Sequence, residues 1–206
     1  MNIYLYVLDT LADWEIGHIT AELNSGRFFK EKGKNVSFIK ISDSLKPVKT
    51  MGGIDITPDE SIRNISFRKG DILILPGADT WLEERNKEVM GIVKDLLNKE
   101  IPVCAICGAT IGLAESGVLN DRRHTSNDKE YLKMVCMNYK GSDNYVEEPV
   151  VADGNLITAS GIDPLGFSYE VLRLTGLFSE NTLIAWFNLY RTKEPRYFYE
   201  LMNSLN

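Results

Sequence analysis

The stretch IPVCAICGAT, residues 101–110, decides how we interpret the rest of the chain. Its short apolar run Val103–Ile106 is typical of a strand that is buried on both faces. Residues 111–116 are largely compatible with a helix, and Gly117 is placed to end that helix. The stretch therefore predicts a strand that ends near Cys107 and turns at once into a helix.

Cys107 stands at this predicted turn, with Gly108 after it and with Ala105 and Ala109 two residues away on either side. A nucleophile on a sharp strand-to-helix turn needs small neighbours, because larger side chains would collide there. The turn would point the N–H groups of Gly108 and Ala109 outward to hold an oxyanion, and the helix N-terminus would favour a thiolate. The alternative interpretation is a small buried cysteine that ends a core strand.

The composition favours a globular protein and excludes several partner classes. The 206 residues predict a single domain over 1–206, and an apolar fraction of 44% is ordinary for a chain with a good core. The net charge is −6, and no basic block is present, so we expect neither nucleic acid nor an anionic membrane as a partner. No apolar run approaches the roughly 18 residues of a membrane span, and no secretion signal is visible.

Three cysteines, Cys104, Cys107 and Cys136, form no disulfide framework and favour a reducing cytoplasm. Cys104 and Cys107 could be a redox pair or half of a zinc site. In an extended strand, however, they would lie about 10 Å apart, beyond the roughly 7 Å that a disulfide allows between Cα atoms. A second pair of metal ligands is missing. We therefore expect no metal site and no other cofactor.

Strand-like and helix-like segments alternate along the chain, which predicts a largely parallel sheet with helices on both faces. We predict strands at 3–8, 36–41, 71–75, 103–106, 123–125, 150–151 and 156–159, with a small hairpin arm at 54–57. Helices are predicted from 13–15 to 33, at 84–99, 111–116, 128–136, 164–174 and 180–190, and in the tail from 197. In such sheets ligands bind at the carboxyl ends of the strands. Candidate residues therefore lie in 9–15, 76–81, 107–109, at 124 and in 160–163.

Three of these candidates could serve Cys107, although each has an ordinary structural explanation. His124 could be a base for a thiol nucleophile, or a solvated loop residue. Glu15 could place a carboxyl in the same crevice, or complement the dipole of a first helix. Gly77 could bring a backbone N–H close to the sulfur, or form an ordinary Pro-Gly turn. His18 is expected to be a surface or partly packed side chain.

Four segments, taken in order and spacing, resemble the ThiJ/PfpI superfamily. They are 13–15 (DWE), 73–77 (LILPG), 105–109 (AICGA) and 124–127 (HTSN), and the resemblance extends from the first strand to about Tyr190. It implies a flavodoxin-like, doubly wound sheet similar to that of class I glutamine amidotransferases. Because homodimers are frequent in that superfamily, the resemblance also predicts a homodimer. Members include intracellular peptidases, glyoxalases that need no cofactor, chaperones and oxidative-stress sensors, so the family does not fix the reaction.

Residue by residue, the resemblance implies Cys107 as the reactive cysteine and Glu15 as the carboxyl that contacts its sulfur. It implies Gly77 and Gly108 as backbone donors near the sulfur and His124 as the nearby histidine. Ala78 stands where many members have a second glycine and can still offer its N–H. Two departures from the family pattern weaken the peptidase and glutaminase assignments. The peptidase branch has a histidine where this chain has Gly108. A glutaminase would require a histidine near the C-terminus, and this chain has none after His124.

These observations predict a cysteine-dependent hydrolase or lyase that acts on a small amide, a peptide or a reactive carbonyl. Cys107 would attack the carbonyl carbon, and the N–H groups of Gly77 or Ala78 and Gly108 would hold the oxyanion. His124 or Glu15 would move the proton. We expect a protonated Glu15 and a Cys107 pKa below its usual value of about 8.5. The alternative is a non-catalytic protein that senses oxidative stress through oxidation of Cys107.

Overall fold

The computed structural model describes residues 1–34 and 36–205. Its strands are β1 (Asn2–Tyr6), β2 (Ser37–Ser42), β3 (Val48–Lys49), β4 (Asp55–Ile56), β5 (Glu60–Ser61), β6 (Ile72–Leu75), β7 (Val103–Ile106), β8 (Val150–Asp153) and β9 (Leu156–Ala159). Its α-helices are α1 (Asp13–Ser25), α2 (Lys87–Asn98), α3 (Gly108–Glu115), α4 (Lys129–Val135), α5 (Pro164–Thr175), α6 (Glu180–Thr192) and α7 (Arg196–Asn203).

The main sheet has the strand order β5-β2-β1-β6-β7-β9-β8 within the described residues. All neighbouring strands in it run parallel except β8, which pairs with β9 in antiparallel register. The predicted flavodoxin-like α/β fold with a mostly parallel sheet is therefore confirmed. The central strands β6 and β7 are buried along their whole length, as their uninterrupted apolar sequences predict.

Four neighbouring strands, β1, β6, β7 and β9, end at the same edge of the sheet. The chain order reverses between β1 and β6: β2 and β5 follow on one side, and β7 and β9 on the other. Ligands bind at such switch points in open α/β sheets, because the loops diverge there and leave a crevice. The loops after these four strands carry the candidate residues of 9–15, 76–81, 107–109 and 160–163, so the fold brings these segments together at one edge.

Two sequence predictions about local structure are wrong. Helix α1 ends at Ser25 instead of running to residue 33, because Gly26 adopts a left-handed conformation and its N–H caps the carbonyl of Glu22. The predicted strand at 123–125 is reduced to an isolated bridge between His124 and Tyr145. The predicted arm at 54–57 is present, since β4 pairs with β3 in a separate two-stranded hairpin. Among the described residues, none of the helices has both the length and the hydropathy required to traverse a bilayer.

Candidate active site

Cys107 occupies the predicted sharp turn between β7 and α3. Its backbone has a φ of 56° and a ψ of −123°, a region that side-chain-bearing residues rarely adopt. Its N–H donates to the carbonyl of Ala159 on β9 at 2.9 Å, which anchors the turn to the neighbouring strand. A Cβ on Gly108 would collide with the backbone carbonyl of Ala78. Glycine is therefore required after the cysteine for the two loops to approach each other.

Glu15 lies in the first turn of α1 and is fully buried. Its Oε2 accepts a hydrogen bond of 2.6 Å from the N–H of Gly77. Its Oε1 is the one buried side-chain polar atom without a hydrogen-bond partner in the part of the chain that the structure describes. Burial raises the pKa of Glu15, while the hydrogen bond from Gly77 opposes that rise. Burial therefore favours the protonated form of this carboxyl.

The sulfur of Cys107 receives a hydrogen bond from Asn127, a residue to which sequence reasoning gave no role. The Asn127 side-chain N–H₂ donates to Sγ at 3.2 Å. Its Oδ1 accepts from the N–H of Gly161 at 2.8 Å and from the hydroxyl of Ser160 at 3.3 Å. Because a backbone N–H can only donate, Gly161 fixes which end of the amide faces the sulfur. Asn127 is thus oriented to donate to the sulfur, which stabilises a thiolate.

The expected lowering of the Cys107 pKa is wrong, because its surroundings raise that pKa. Partial burial is the largest cause, and the charge of Glu15 adds to it, whereas the hydrogen bonds from Asn127 and from the N–H of Gly108 act in the opposite direction. The sequence predicts a partly exposed sulfur at a helix N-terminus beside a protonated Glu15, which leaves out the cost of burying the thiolate, the largest cause of the raised pKa. Glu15 and Cys107 therefore hold a proton between them at neutral pH.

Two glycines allow the carboxyl and the thiol to meet. A Cβ on Gly77 would lie 2.6 Å from Oε2 of Glu15 and 2.8 Å from Cβ of Cys107. A Cβ on Gly161 would lie 2.7 Å from Sγ of Cys107 and 3.1 Å from Oε1 of Glu15. The unpartnered carboxyl oxygen and the sulfur therefore lie on the same side of Gly161, in a space that admits no additional methyl group.

Gly161→Ala should reduce the reactivity of Cys107 without unfolding the protein. The added methyl group would overlap the sulfur, at a cost of about 1–3 kcal/mol in stability. It would also crowd the approach of iodoacetamide to Cys107, and a barrier higher by about 1.4 kcal/mol would slow alkylation by roughly tenfold. The matched control is Gly17→Ala on α1, where an added Cβ meets nothing within 4 Å. An alkylation rate in Gly161→Ala equal to that of the control would contradict this packing. Peptide mass spectrometry would measure both rates.

The structure does not bring His124 to the sulfur. The side chain is fully buried, and its Nδ1 donates to the carbonyl of Arg122 at 2.7 Å, while its Nε2 accepts from the hydroxyl of Tyr139 at 2.8 Å. With both ring nitrogens occupied, the imidazole cannot act directly as a base for Cys107 in this arrangement. His18 packs against the rings of Trp186 and Tyr190, so neither histidine of the chain serves the cysteine.

His124 should instead make stability depend on pH. Burial lowers its pKa, so the folded protein binds this proton less readily than the unfolded chain does. Its contribution is complete above the unfolded pKa of about 6.5 and is lost as the pH falls toward the lower folded pKa. We expect His124→Gln to lose less free energy of unfolding than the wild type between pH 7.5 and pH 5, as measured in urea. Burial lowers the His18 pKa as well, so His18→Gln should change the pH dependence in the same direction. Equal losses in wild type and His124→Gln would refute the assignment.

The predicted backbone donors divide into two groups. The N–H of Gly77 donates to Glu15 and is not available to an oxyanion, which corrects the role expected for it. The N–H of Ala78 makes no hydrogen bond within the described chain, and Gly108 opens α3, where the first N–H groups lack intrahelical partners. Ala78 and Gly108 both line the cavity that contains Cys107. These two N–H groups are the candidates for an oxyanion hole.

The cavity above Cys107 has a volume of about 510 Å³ and is mostly apolar. Its wall includes Trp14, Met51, Trp81, Leu82 and Tyr131. Cys104 and Cys136 are buried elsewhere, and burial raises the pKa of Cys136 to about 11. Among residues 1–34 and 36–205, no cluster of three or more histidine, cysteine, aspartate or glutamate side chains is arranged to bind a metal ion.

Comparison with known proteins identifies the relatives of this chain. A profile of the DJ-1/PfpI family matches residues 1–174. A Bacillus subtilis (strain 168) protein named uncharacterized protease YoaZ is 46% identical over 205 residues, covering 100% of this chain and 98% of the relative. A second one from that strain, uncharacterized protease YdeA, is 34% identical over 82% of this chain and 80% of its own length. The crystal structure of a thiJ/pfpI family protein from Bacillus anthracis matches with a TM-score of 0.97 and 45% identity over 100% of this chain and 98% of that one.

Proposed function

This chain belongs to the DJ-1/PfpI family, and we propose that it is a cysteine-dependent hydrolase that cleaves peptide or small amide bonds with Cys107 as its nucleophile. Two relatives of the chain are named as proteases, which agrees with a hydrolase. The observation that carries the proposal is the buried Glu15, whose unpartnered Oε1 lies beside the sulfur at a strained strand-to-helix turn. A nucleophile and a proton carrier are then present without a histidine.

The proposed reaction begins with transfer of the thiol proton of Cys107 to Oε1 of Glu15 as the sulfur attacks the substrate carbonyl carbon. The carbonyl oxygen takes up the electron pair and becomes an oxyanion, which the N–H groups of Ala78 and Gly108 stabilise. Glu15 returns the proton to the departing amine nitrogen, the carbon–nitrogen bond breaks, and a thioester remains on Cys107. Water then attacks the thioester carbonyl and releases the acid and the thiol.

Asn127 supports the same sequence from the other side of the sulfur. Its N–H₂ donates to Sγ and stabilises the developing thiolate, while Gly161 prevents the amide from turning. Burial raises the pKa of Glu15, which suits a group that must accept a proton from the thiol and return it to the leaving group. A bound substrate would displace water from the cavity and bury the partly exposed sulfur further.

A second candidate function is the sensing of oxidation. Two equivalents of a peroxide would convert the Cys107 thiol to a sulfinic acid and release two equivalents of water or alcohol. The observation that favours it is again the unpartnered Oε1: when protonated, Glu15 can donate to a sulfinate oxygen, and Asn127 can donate to another. In this case, Cys107 would be oxidised selectively, and no substrate would be turned over.

The test combines turnover with direct observation of the cysteine. The protein is incubated with fluorogenic peptides, simple amides and methylglyoxal, quenched in acid, and digested for mass spectrometry. Hydrolysis of a peptide or amide, together with the acyl mass on the Cys107 peptide, supports the hydrolase. If methylglyoxal is the one substrate that is turned over, the protein is a lyase and the hydrolase proposal is wrong. A panel without turnover, followed by clean addition of two oxygens at Cys107 under peroxide, would support the sensor instead.

A further inference from the structure

Three large apolar side chains stand exposed beside the catalytic cavity. Trp14 is 54% exposed, Met51 46% and Ile54 59%. They line a second cavity of about 510 Å³ together with Asp13 and Gly52. Trp14 and Met51 also line the cavity that contains Cys107, so the two spaces adjoin each other. We call Trp14, Met51 and Ile54 the apolar shelf.

Met51 and Ile54 lie in the turn between β3 and β4, whereas Trp14 lies on α1. Hydrogen bonds hold the hairpin of β3 and β4 against the elements that carry the site. The N–H of Gly52 donates to the Asp13 carboxylate at 2.6 Å, at the start of α1. The N–H of Met51 donates to the carbonyl of Leu11 at 2.9 Å, and that of Thr10 to the carbonyl of Lys49 at 2.8 Å. Since α1 also carries Glu15, the shelf has a fixed position relative to the reacting groups.

The charges around the two cavities determine which ligands fit. Burial acts to raise the Asp13 pKa, but the hydrogen bonds from the Thr50 side chain and from the Gly52 N–H outweigh it and lower that pKa. Asp79 is the other acidic side chain that lines either space. No basic side chain lines either of them in the described chain, so an anionic substrate would be repelled without compensation. Exposed apolar side chains that are held in place favour an uncharged apolar group instead.

We propose that the apolar shelf is a specificity subsite that binds an apolar side chain of a peptide substrate, flanking the bond that Cys107 cleaves. This inference rests on the proposed hydrolase function and narrows its substrates from small amides to peptides long enough to span both cavities. Burial of an aromatic or branched side chain against Trp14 and Ile54 would remove apolar surface of both partners from water. An acidic side chain at the same position should be excluded.

The test compares two fluorogenic peptides of equal length that differ only at the positions flanking the cleaved bond, leucine and phenylalanine in one and serine and glutamine in the other. We expect the wild type to prefer the apolar peptide by at least about tenfold in kcat/KM, the ratio that about 1.4 kcal/mol of binding provides. In Trp14→Ala and in Ile54→Ser, this ratio should fall toward one. Phe198→Ser on α7, which also removes an exposed apolar side chain, should keep the wild-type ratio.

The outcomes separate this inference from the proposed function. If both peptides are cleaved without preference, or the shelf variants keep the preference, the subsite is refuted and the hydrolase stands. If neither peptide is cleaved, the hydrolase proposal fails, and binding of the same peptides is then measured by the fluorescence anisotropy of an attached dye. Tighter binding of the apolar peptide that is lost in Ile54→Ser would support the subsite. Equal binding of the two peptides would refute it. The shelf could instead be an interface between two copies of the chain. In that case the wild type would be a dimer, both shelf variants would be monomers with an unchanged peptide preference, and the proposal would be overturned.

Discussion

Replacing Cys107 with serine should lower the turnover of a peptide or amide substrate by at least about 10³-fold, as expected when the nucleophile of a catalytic unit is removed. A serine hydroxyl is a far weaker acid than a thiol and needs a strong base for activation. In the described structure, both nitrogens of His124 are occupied by Arg122 and Tyr139, and His18 packs against aromatic rings. A carboxyl such as Glu15 is too weak a base to ionise a hydroxyl, so the oxygen nucleophile would remain inactive.

The measurement is kcat/KM on the best peptide, with the urea midpoint of each variant as a check on folding. Cys136→Ser is the matched control, because Cys136 is buried and donates to the carbonyl of Ile111, a bond that a hydroxyl can also make. The control should retain activity. A Cys107→Ser enzyme that turns substrate over at the rate of the control would show that Cys107 is not the nucleophile.

The edge of the sheet where the site lies was predictable from hydrophobic patterns. The apolar runs that became β6 and β7 are too short and too uniform for amphipathic helices, and parallel strands end at a common edge. Small residues around Cys107 indicated the sharp turn, and the structure has a positive φ there. Such local constraints are visible in a sequence because they act between residues that are close in the chain.

The direction of a side chain at that edge was not predictable in the same way. His124 lies in the loop between α3 and α4, near the site. Its ring nevertheless points into the core, where it forms hydrogen bonds with Tyr139 and the carbonyl of Arg122. Asn127 belongs to the same quoted segment, 124–127, but its orientation depends on the N–H of Gly161, 34 residues further along the chain. Hydrogen bonds between distant loops decide these roles, and spacing within one segment carries no information about them.

The pKa of Cys107 shows how burial that a sequence does not reveal can reverse an expected pKa shift. A helix N-terminus stabilises a thiolate by a modest amount, typically about 0.3–1 kcal/mol near a surface. Partial burial of the sulfur and the charge of Glu15 act against it, and together they raise the pKa. The sequence predicts that Glu15 and Cys107 meet and compete for one proton, but the degree to which the sulfur is buried depends on how distant loops pack around it, so only the folded structure shows it.

Glu15→Gln should therefore change thiol reactivity and turnover in opposite directions. The variant keeps the size of the side chain and an oxygen that can accept from Gly77, but it removes the negative charge that raises the Cys107 pKa. Alkylation of Cys107 by iodoacetamide at pH 7 should become faster, because more of the sulfur is thiolate. Peptide turnover should fall by about 10²–10⁴-fold, the usual contribution of a positioned acid or base, since glutamine cannot carry the proton to the leaving amine.

The pH dependence of both rates separates this explanation from a structural one. In the wild type, the pH profile of alkylation should reflect the raised pKa of the Cys107 thiol, and in Glu15→Gln the midpoint should move to lower pH. Glu15→Leu is the contrasting variant, because it removes the same charge but also leaves the Gly77 N–H without its acceptor. That loss should lower the urea midpoint in Glu15→Leu and not in Glu15→Gln. If turnover rises with alkylation in Glu15→Gln, Glu15 only suppresses the thiolate, and the proton must reach the leaving group by another route.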